Sequence, residues 1–414
     1  MRVVTIESVL RHLQALPHDD PRLVVSGNHA VPWDLLAAAD KALGRFRLFM
    51  LNAPAGVPDR DGITLETPFV GAGMRGRDAL AYFPCRLSLV PALLRQRVQP
   101  DVVLLHTAPP RHGLLSLGIE VNILPAAIET ARARGALVIA QVNPRMPYTY
   151  GDSLLSVDDV DLAVETDAPL DEVQHVAVTD VQRVIGDNVA TLVGDGATLQ
   201  LGIGAIPDAA LAALCERRGL RVWSEMISDG VLRLERAGAL SDAPVTTSFA
   251  AGTTELHDWL DGNPRVTFTR TERANDPAVI ARQPAMTSIN AALQVDLFEQ
   301  ANASYVHGRI YSGFGGQTDF VVGALHSVGG HAILALPSWH ERSETSTIVE
   351  RLHSPATSFQ HSYVVTEQGV ATIWGRSQRD QARELVEHAA APQARDSLRR
   401  AADGLFGVGR AAND

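Results

Sequence analysis

The sequence predicts an α/β protein: two tandem α/β domains with mostly parallel sheets. Three observations lead there. Short apolar runs rich in β-formers alternate with helical patterns along the chain, as expected of strands covered on both faces by helices. A length of 414 residues suits two domains or one large one. A segment near the start is echoed in the second half: residues 24–38 read VVSGNHAVPWDLLAA and residues 199–213 read LQLGIGAIPDAALAA.

Aligned on Gly27 and Gly202, the two segments also share Ala30/Ala205, Pro32/Pro207, Leu36/Leu211, Ala37/Ala212 and Ala38/Ala213, with Val31/Ile206 conservative. Each reads as strand, glycine turn, proline and helix. The proline fits a first helical turn, where its missing N–H costs little. An Ala-rich βα unit could produce the same likeness by chance. Further along, DVVLLHTAPP (101–110) reads as a buried strand ending in a loop. IETARARGALVIAQVNP (128–144) reads as a helix end, a glycine turn and a strand. The acidic stretch 158–177, with Pro169, reads as the boundary, dividing the chain into 1–170 and 171–414. Thr179 then caps a helix over about 179–193. In VWSEMISDG (222–230), Val222 and Trp223 end a strand and Asp229-Gly230 forms a turn pair. HAILALPSW (331–339) and SYVVTEQG (362–369) supply further strands.

Composition narrows the function. The 46% hydrophobic content supports a large core, and the net charge of -11 argues against a general nucleic-acid surface. Two distant cysteines, Cys85 and Cys215, give neither a disulfide framework nor a zinc site and fit a reduced, cytoplasmic setting. The amino terminus lacks a signal-peptide pattern, and no apolar run reaches membrane-spanning length. The 14 histidines form no HExxH motif. His175 and His257 read as surface or core residues, so no metal site is expected.

Four loops after predicted strands could share a cleft at the strands' carboxyl ends. GIGAIPD (202–208) places Gly202, Gly204, Ala205 and Ile206 before a helix, where backbone amides can hold an anion or a polarised carbonyl. YSGFGGQTDF (311–320) packs Gly313, Gly315 and Gly316 beside Gln317 and Asp319, too glycine-dense for a strand interior. TAPPRHGLLSLG (107–118) and NPRMPYTYGDS (143–153) are the others. Each alone could be a simple connection. Glu225 stands among apolar residues, as either a working carboxylate or an acid placed at a helix start by the dipole.

Taken in order, LQLGIGAIPDA, SEMISDGV, SINAALQVDL, GFGGQTDF and YVVTEQGVA resemble the acetyl-CoA hydrolase/transferase family over nearly the whole chain, close to its 4-hydroxybutyrate and acetate CoA-transferases. The resemblance implies two CoA-transferase-like domains with the active site between them. It implies Glu225 as nucleophile, passing through a glutamyl-CoA thioester. Gly204, Ala205, Gly315 and Gly316 would contact CoA or an oxyanion, in loops that also hold Gly202, Ile206, Gly313 and Gln317. Asn290 matches a further active-site position. Glu367, also after a strand, is the rival carboxylate, read here as support for Glu225 rather than as nucleophile. Coenzyme A would enter as acyl-CoA substrate with a small carboxylate as acceptor, without metal, nucleic acid or membrane; the chain could form a homodimer. Gly73, Thr347 and Gln368 stand where the family usually carries Asn, Arg and Tyr, and SFQHS replaces an Arg-rich stretch. These departures leave the acyl group and acceptor open. Acyl-CoA hydrolysis is the alternative activity, and a catalytically silent CoA-binding protein the alternative class.

Overall fold

The computed structural model of the chain describes residues 1–173, 177–202, 204–356 and 360–406. In the first half, runs such as Val102–Leu105 and Val138–Ala140 are wholly buried, so they must lie inside a sheet covered on both sides. The strand order across that sheet is Arg2–Val3, Leu162–Glu165, Leu137–Val142, Val102–Arg111, Arg22–Val25, Phe46–Phe49, Ile63–Thr67 and Leu80–Tyr82. Every neighbouring pair is parallel.

The second half builds a sheet in the order Arg221–Val222, Thr198–Leu201, Met286–Ala291, His331–Ala335, Tyr363–Thr366 and Gly369–Thr372. Only its last pair is antiparallel. Its first five strands match five of the first sheet in chain order and position. The strand before Gly27 lies between Phe46–Phe49 and Val102–Arg111, and the strand before Gly202 lies between Arg221–Val222 and Met286–Ala291. Register follows too: Val24 faces Phe49, and Leu199 faces Val222. Gly27 is required by contact, since a Cβ there would meet Leu51 O at 2.1 Å.

Local signals set the helix limits. Leu124–Arg134 ends at Gly135 in the left-handed conformation, φ 68°, with its N–H on the carbonyls of Ala131 and Arg132. Asp180–Ala190 opens on a reciprocal cap between Thr179 and Gln182 and buries Ile185 and Val189. One apolar core runs through both halves, joining Val24, Leu105 and Val138 to Leu199, Ile289, Ile333 and Val365.

The structure departs from the sequence reading at three places. The acidic boundary stretch contains the strand Leu162–Glu165, because Val160, Leu162 and Ala163 are buried among the first sheet's apolar residues. The segment 107–118 is a hairpin rather than a loop. Its strand continues to Arg111, turns at His112 (φ 53°) and Gly113 (φ 79°), and returns through Leu114–Ser116. Positive φ at both turn residues gives the twist a two-residue hairpin needs. Asp229-Gly230 is the first turn of the helix Asp229–Arg236, whose cap is Ser228 Oγ accepting from Gly230 N. Among the described residues, no helix is long and apolar enough to cross a membrane.

Candidate active site

Glu225 follows the edge strand Arg221–Val222, and its backbone is pinned. Its carbonyl accepts from Ser248 N and Phe249 N, both at 3.0 Å. Its Oε2 accepts from Asn275 Nδ2 at 2.8 Å, and Asn275 closes the short helix Thr271–Ala274. Gly316 presses against the same oxygen: a Cβ there would lie 1.8 Å from Glu225 Oε2 and 2.3 Å from Asn275 Nδ2. Only glycine leaves room for the carboxylate in this pose.

The loop that brings Gly316 is tied to the first half of the chain. Val70 N donates to Ser312 O at 2.7 Å and Leu87 N to Gly315 O at 2.8 Å. Asp319, fully buried, accepts from Ser88 Oγ at 2.8 Å and faces Arg86 at 3.5 Å. Gly315 takes φ 55°, a region that favours glycine.

Glu225 opens into a cavity of about 40 Å³ lined by Asn28, Leu51, Asn52, Phe69, Leu87, Asn122, Phe249 and Gly315. Desolvation pushes its carboxyl up to about 7, with Asp319 and Glu120 adding repulsion and the Asn275 bond opposing. Behind the cavity wall a second carboxylate, Glu120, is buried and likewise raised to about 7 by burial. It accepts from Asn28 Nδ2 at 2.8 Å and Asn122 Nδ2 at 2.9 Å, and Asn28 Oδ1 accepts from Asn52 Nδ2 at 2.9 Å. Burial raises both carboxyls, and one of them, Glu225, reaches an apolar cavity, a combination that marks a candidate site.

Of the residues singled out from sequence, Glu225, Gly315 and Gly316 come together here. Gly313 lies just behind, its carbonyl accepting from Ser304 Oγ and its Cα facing Pro68. Gln317 opens the helix Gln317–His326 and lines a neighbouring cavity of about 70 Å³, its Nε2 without a partner among the described residues. Gly202, Gly204, Ala205 and Ile206 do not line the Glu225 cavity among the described residues. Gly204, at φ 121°, caps the helix Ala205–Ala213 instead. Ile203 within that turn, His175 and part of SFQHS lie outside the described residues.

The asparagine on Glu225 is Asn275, not Asn290. Asn290 is buried in the strand Met286–Ala291 and donates to Gln200 Oε1 at 3.1 Å and Ser288 Oγ at 2.7 Å. Glu367 is held away from the cavity by Ser338 N, Ser338 Oγ and Gln368 Nε2. Gly73 has no room for a side chain, since its Cβ would meet Pro54 O at 2.1 Å. Thr347 Oγ1 is spent on Pro337 O at 2.6 Å.

Sequence reasoning missed Asn28, Asn52, Asn122, Asn275 and Glu120. A signal existed for two of them: Asn28 and Asn52 each follow the carboxyl end of a parallel strand.

Known proteins share this arrangement of chain. The acetyl-CoA hydrolase/transferase N-terminal domain profile matches residues 66–175, and the C-terminal domain profile matches residues 252–402. The 4-hydroxybutyrate coenzyme A transferase of Clostridium kluyveri is 41% identical over 330 residues, covering 77% of this chain and 76% of that one. The chain belongs to the acetyl-CoA hydrolase/transferase family. A second relative of this family member is the succinyl-CoA:acetate/propanoyl-CoA:succinate CoA transferase of Fasciola hepatica, 36% identical over 413 residues, with coverage of 93% and 85%. RipA from Yersinia pestis superposes with a TM-score of 0.90 at 28% identity, covering 98% of both chains. The protein is thus an enzyme of the acetyl-CoA hydrolase/transferase family. Glu225 lies between the two profile matches.

Proposed function

We propose that this enzyme is an acyl-CoA:carboxylate CoA-transferase with Glu225 as its covalent nucleophile. The observation that carries the reading is the half-buried Glu225 carboxylate, held between Asn275 and Gly316 at the end of a small, largely apolar cavity. Such a carboxylate is poorly solvated and therefore reactive, yet its orientation is fixed.

The steps balance without another reagent. A Glu225 oxygen attacks the thioester carbonyl of acyl-CoA, the C–S bond breaks, and CoA leaves as thiolate. The product is a mixed anhydride. The thiolate then attacks Glu225 Cδ, the anhydride C–O bond breaks, and the first acid departs as its carboxylate. This leaves a glutamyl-CoA thioester, which an incoming carboxylate resolves by the reverse sequence. When Cδ becomes tetrahedral, negative charge gathers on the remaining Glu225 oxygen. Asn275 Nδ2, 2.8 Å from Oε2, is placed to stabilise it.

Transfer over hydrolysis is favoured by Leu51, Phe69, Leu87 and Phe249, which wall the cavity and would keep water from the thioester. In this reading the halves divide at 170/171, after the strand Leu162–Glu165. The second half supplies the nucleophile and the first supplies the amide wall.

Incubation of the wild type with acyl-CoA should yield a protein heavier by one CoA less one water, mapped to Glu225. Glu225→Ala should yield none and transfer no CoA. An adduct on Glu367, or transfer by the Ala variant, overturns the assignment. Thiol release that ignores added carboxylate would identify a hydrolase.

A further inference from the structure

The segment 119–122 of the first half is a crosspiece behind the nucleophile. Ala250 N donates to Ile119 O at 2.9 Å, and Val121 N and Asn122 N donate to Ser248 O at 3.0 and 3.2 Å. Ser248 N and Phe249 N in turn hold the Glu225 carbonyl, and Phe249 pairs with Met226. A second tie runs to the other end of Glu225. Thr271 N donates to Asn122 O at 3.0 Å and begins the short helix Thr271–Ala274. Asn275 follows that helix, its N donating to Thr271 O, and bonds the Glu225 carboxylate. The backbone and the carboxylate of Glu225 therefore both trace back to one buried segment. The Glu120 side chain ties that segment to the first sheet. It accepts from Asn28, just beyond the strand Arg22–Val25, and Asn28 accepts from Asn52, just beyond Phe46–Phe49. Glu120 also accepts from Asn122 within the segment, and it does not itself line the cavity.

Resting on the CoA-transferase reading above, we propose that Glu120 is a positioning residue for the nucleophile, joining the strand ends of the first sheet to the backbone that carries Glu225 and Asn275. The joint works in either protonation state, which matters because burial raises this carboxyl to about 7. Ionised, it accepts from both amides. Protonated, its O–H donates to Asn122 once that amide turns, and Asn122 Oδ1 has no other partner among the described residues. What the joint needs is reach to Asn28 and Asn122 at once, not charge.

Two substitutions separate reach from charge. Glu120→Gln keeps the length: its Oε1 accepts from Asn28 and its Nε2 donates to Asn122, so kcat for CoA transfer should stay within about threefold of wild type. Glu120→Asp keeps the acid but shortens it by one C–C bond, about 1.5 Å, so bonds of 2.8 and 2.9 Å cannot both form. Its kcat should fall about tenfold or more, with the KM for acyl-CoA little changed. Thr271→Pro cuts the second tie by removing the N–H that Asn122 O accepts. Arg270, at φ -66° and ψ 151°, already has the extended conformation that precedes proline. This variant should lose kcat in the same way. Hydrogen exchange of the free enzyme should quicken at 248–250 and 271–275 in Glu120→Asp and stay at the wild-type rate in Glu120→Gln. A slow Glu120→Gln beside an active Glu120→Asp would assign the role to charge and overturn the proposal. So would a kcat near wild type in either Glu120→Asp or Thr271→Pro, or exchange that does not change. A wild type that transfers no CoA overturns the transferase reading, while the exchange pattern still decides whether Glu120 holds the joint.

Discussion

Replacing Gly316 by alanine isolates the placement of the nucleophile from its chemistry. The backbone at Gly316 has φ -95° and ψ -3°, a conformation any residue adopts, so alanine brings no backbone strain. What it brings is a methyl group 1.8 Å from Glu225 Oε2, against a closest tolerable approach of 3.0 Å. The carboxylate, or the loop tied to Leu87 and Val70, must give way by about 1.2 Å. A displacement near 1 Å typically costs on the order of a hundredfold in rate, or about 2.7 kcal/mol of transition-state stabilisation. The expected outcome is a kcat for CoA transfer reduced roughly 10²-fold or more, with a thermal midpoint near that of the wild type. Gly44→Ala is the control, since a Cβ there meets nothing within 4 Å; it should leave transfer unchanged. A Gly316→Ala enzyme within about threefold of wild type would refute the argument, because it would mean that turnover does not use Glu225 in this pose.

Two further outcomes follow from the same carboxylate. Asn275→Ala removes the bond that lowers the Glu225 pKa. Its kcat should drop about 10²-fold, and the acid limb of kcat/KM, expected near pH 7 in the wild type because the ionised form attacks, should move up; a smaller loss with an unmoved limb would refute the pairing. Glu225→Gln should trade activity for stability in a pH-dependent way. The folded pKa of Glu225 is raised above its ordinary 4.5 to about 7, so the native state holds the extra proton, and stability from this group is present below pH 4.5 and lost as pH rises through about 7. The thermal midpoint of Glu225→Gln relative to wild type should therefore be higher at about pH 8 than at about pH 5, and a difference that does not change with pH would refute the burial argument.

What could be read from the sequence is what depends on neighbours along the chain. Apolar runs gave the strands, Thr179 gave a helix start, and Gly135 gave a helix end. The crowding of Gly313, Gly315 and Gly316 marked a loop that must approach something closely, and in the structure that something is Glu225. What could not be read depends on tertiary placement. Asn290 has apolar neighbours and Asn275 stands beside Asp276, yet only the fold decides that Asn275 meets Glu225 and Asn290 meets Gln200. Glu120 looks like a solvated acid in SLGIEVN, yet it is 2% exposed because Asn28, distant in sequence, donates to it. The strand Leu162–Glu165 was hidden by the acidic residues around it, although its own side chains are buried.

The matched registers of the two sheets carry a consequence for how such a site can arise. Val24 faces Phe49 as Leu199 faces Val222, and three residues beyond those partners stand Asn52 and Glu225, both lining one cavity. They hold equivalent register positions in the two sheets and face the same cavity. An assembly of two identical units would have to set the same residue on both sides: two carboxylates repelling each other, or two amides with no nucleophile. Joining the units in one gene removes that constraint. Each copy can then mutate alone, one keeping the acid and the other becoming its neutral facing wall. Reversing the division, with a carboxylate at Asn52 and an amide at Glu225, would measure how far the two halves are from interchangeable.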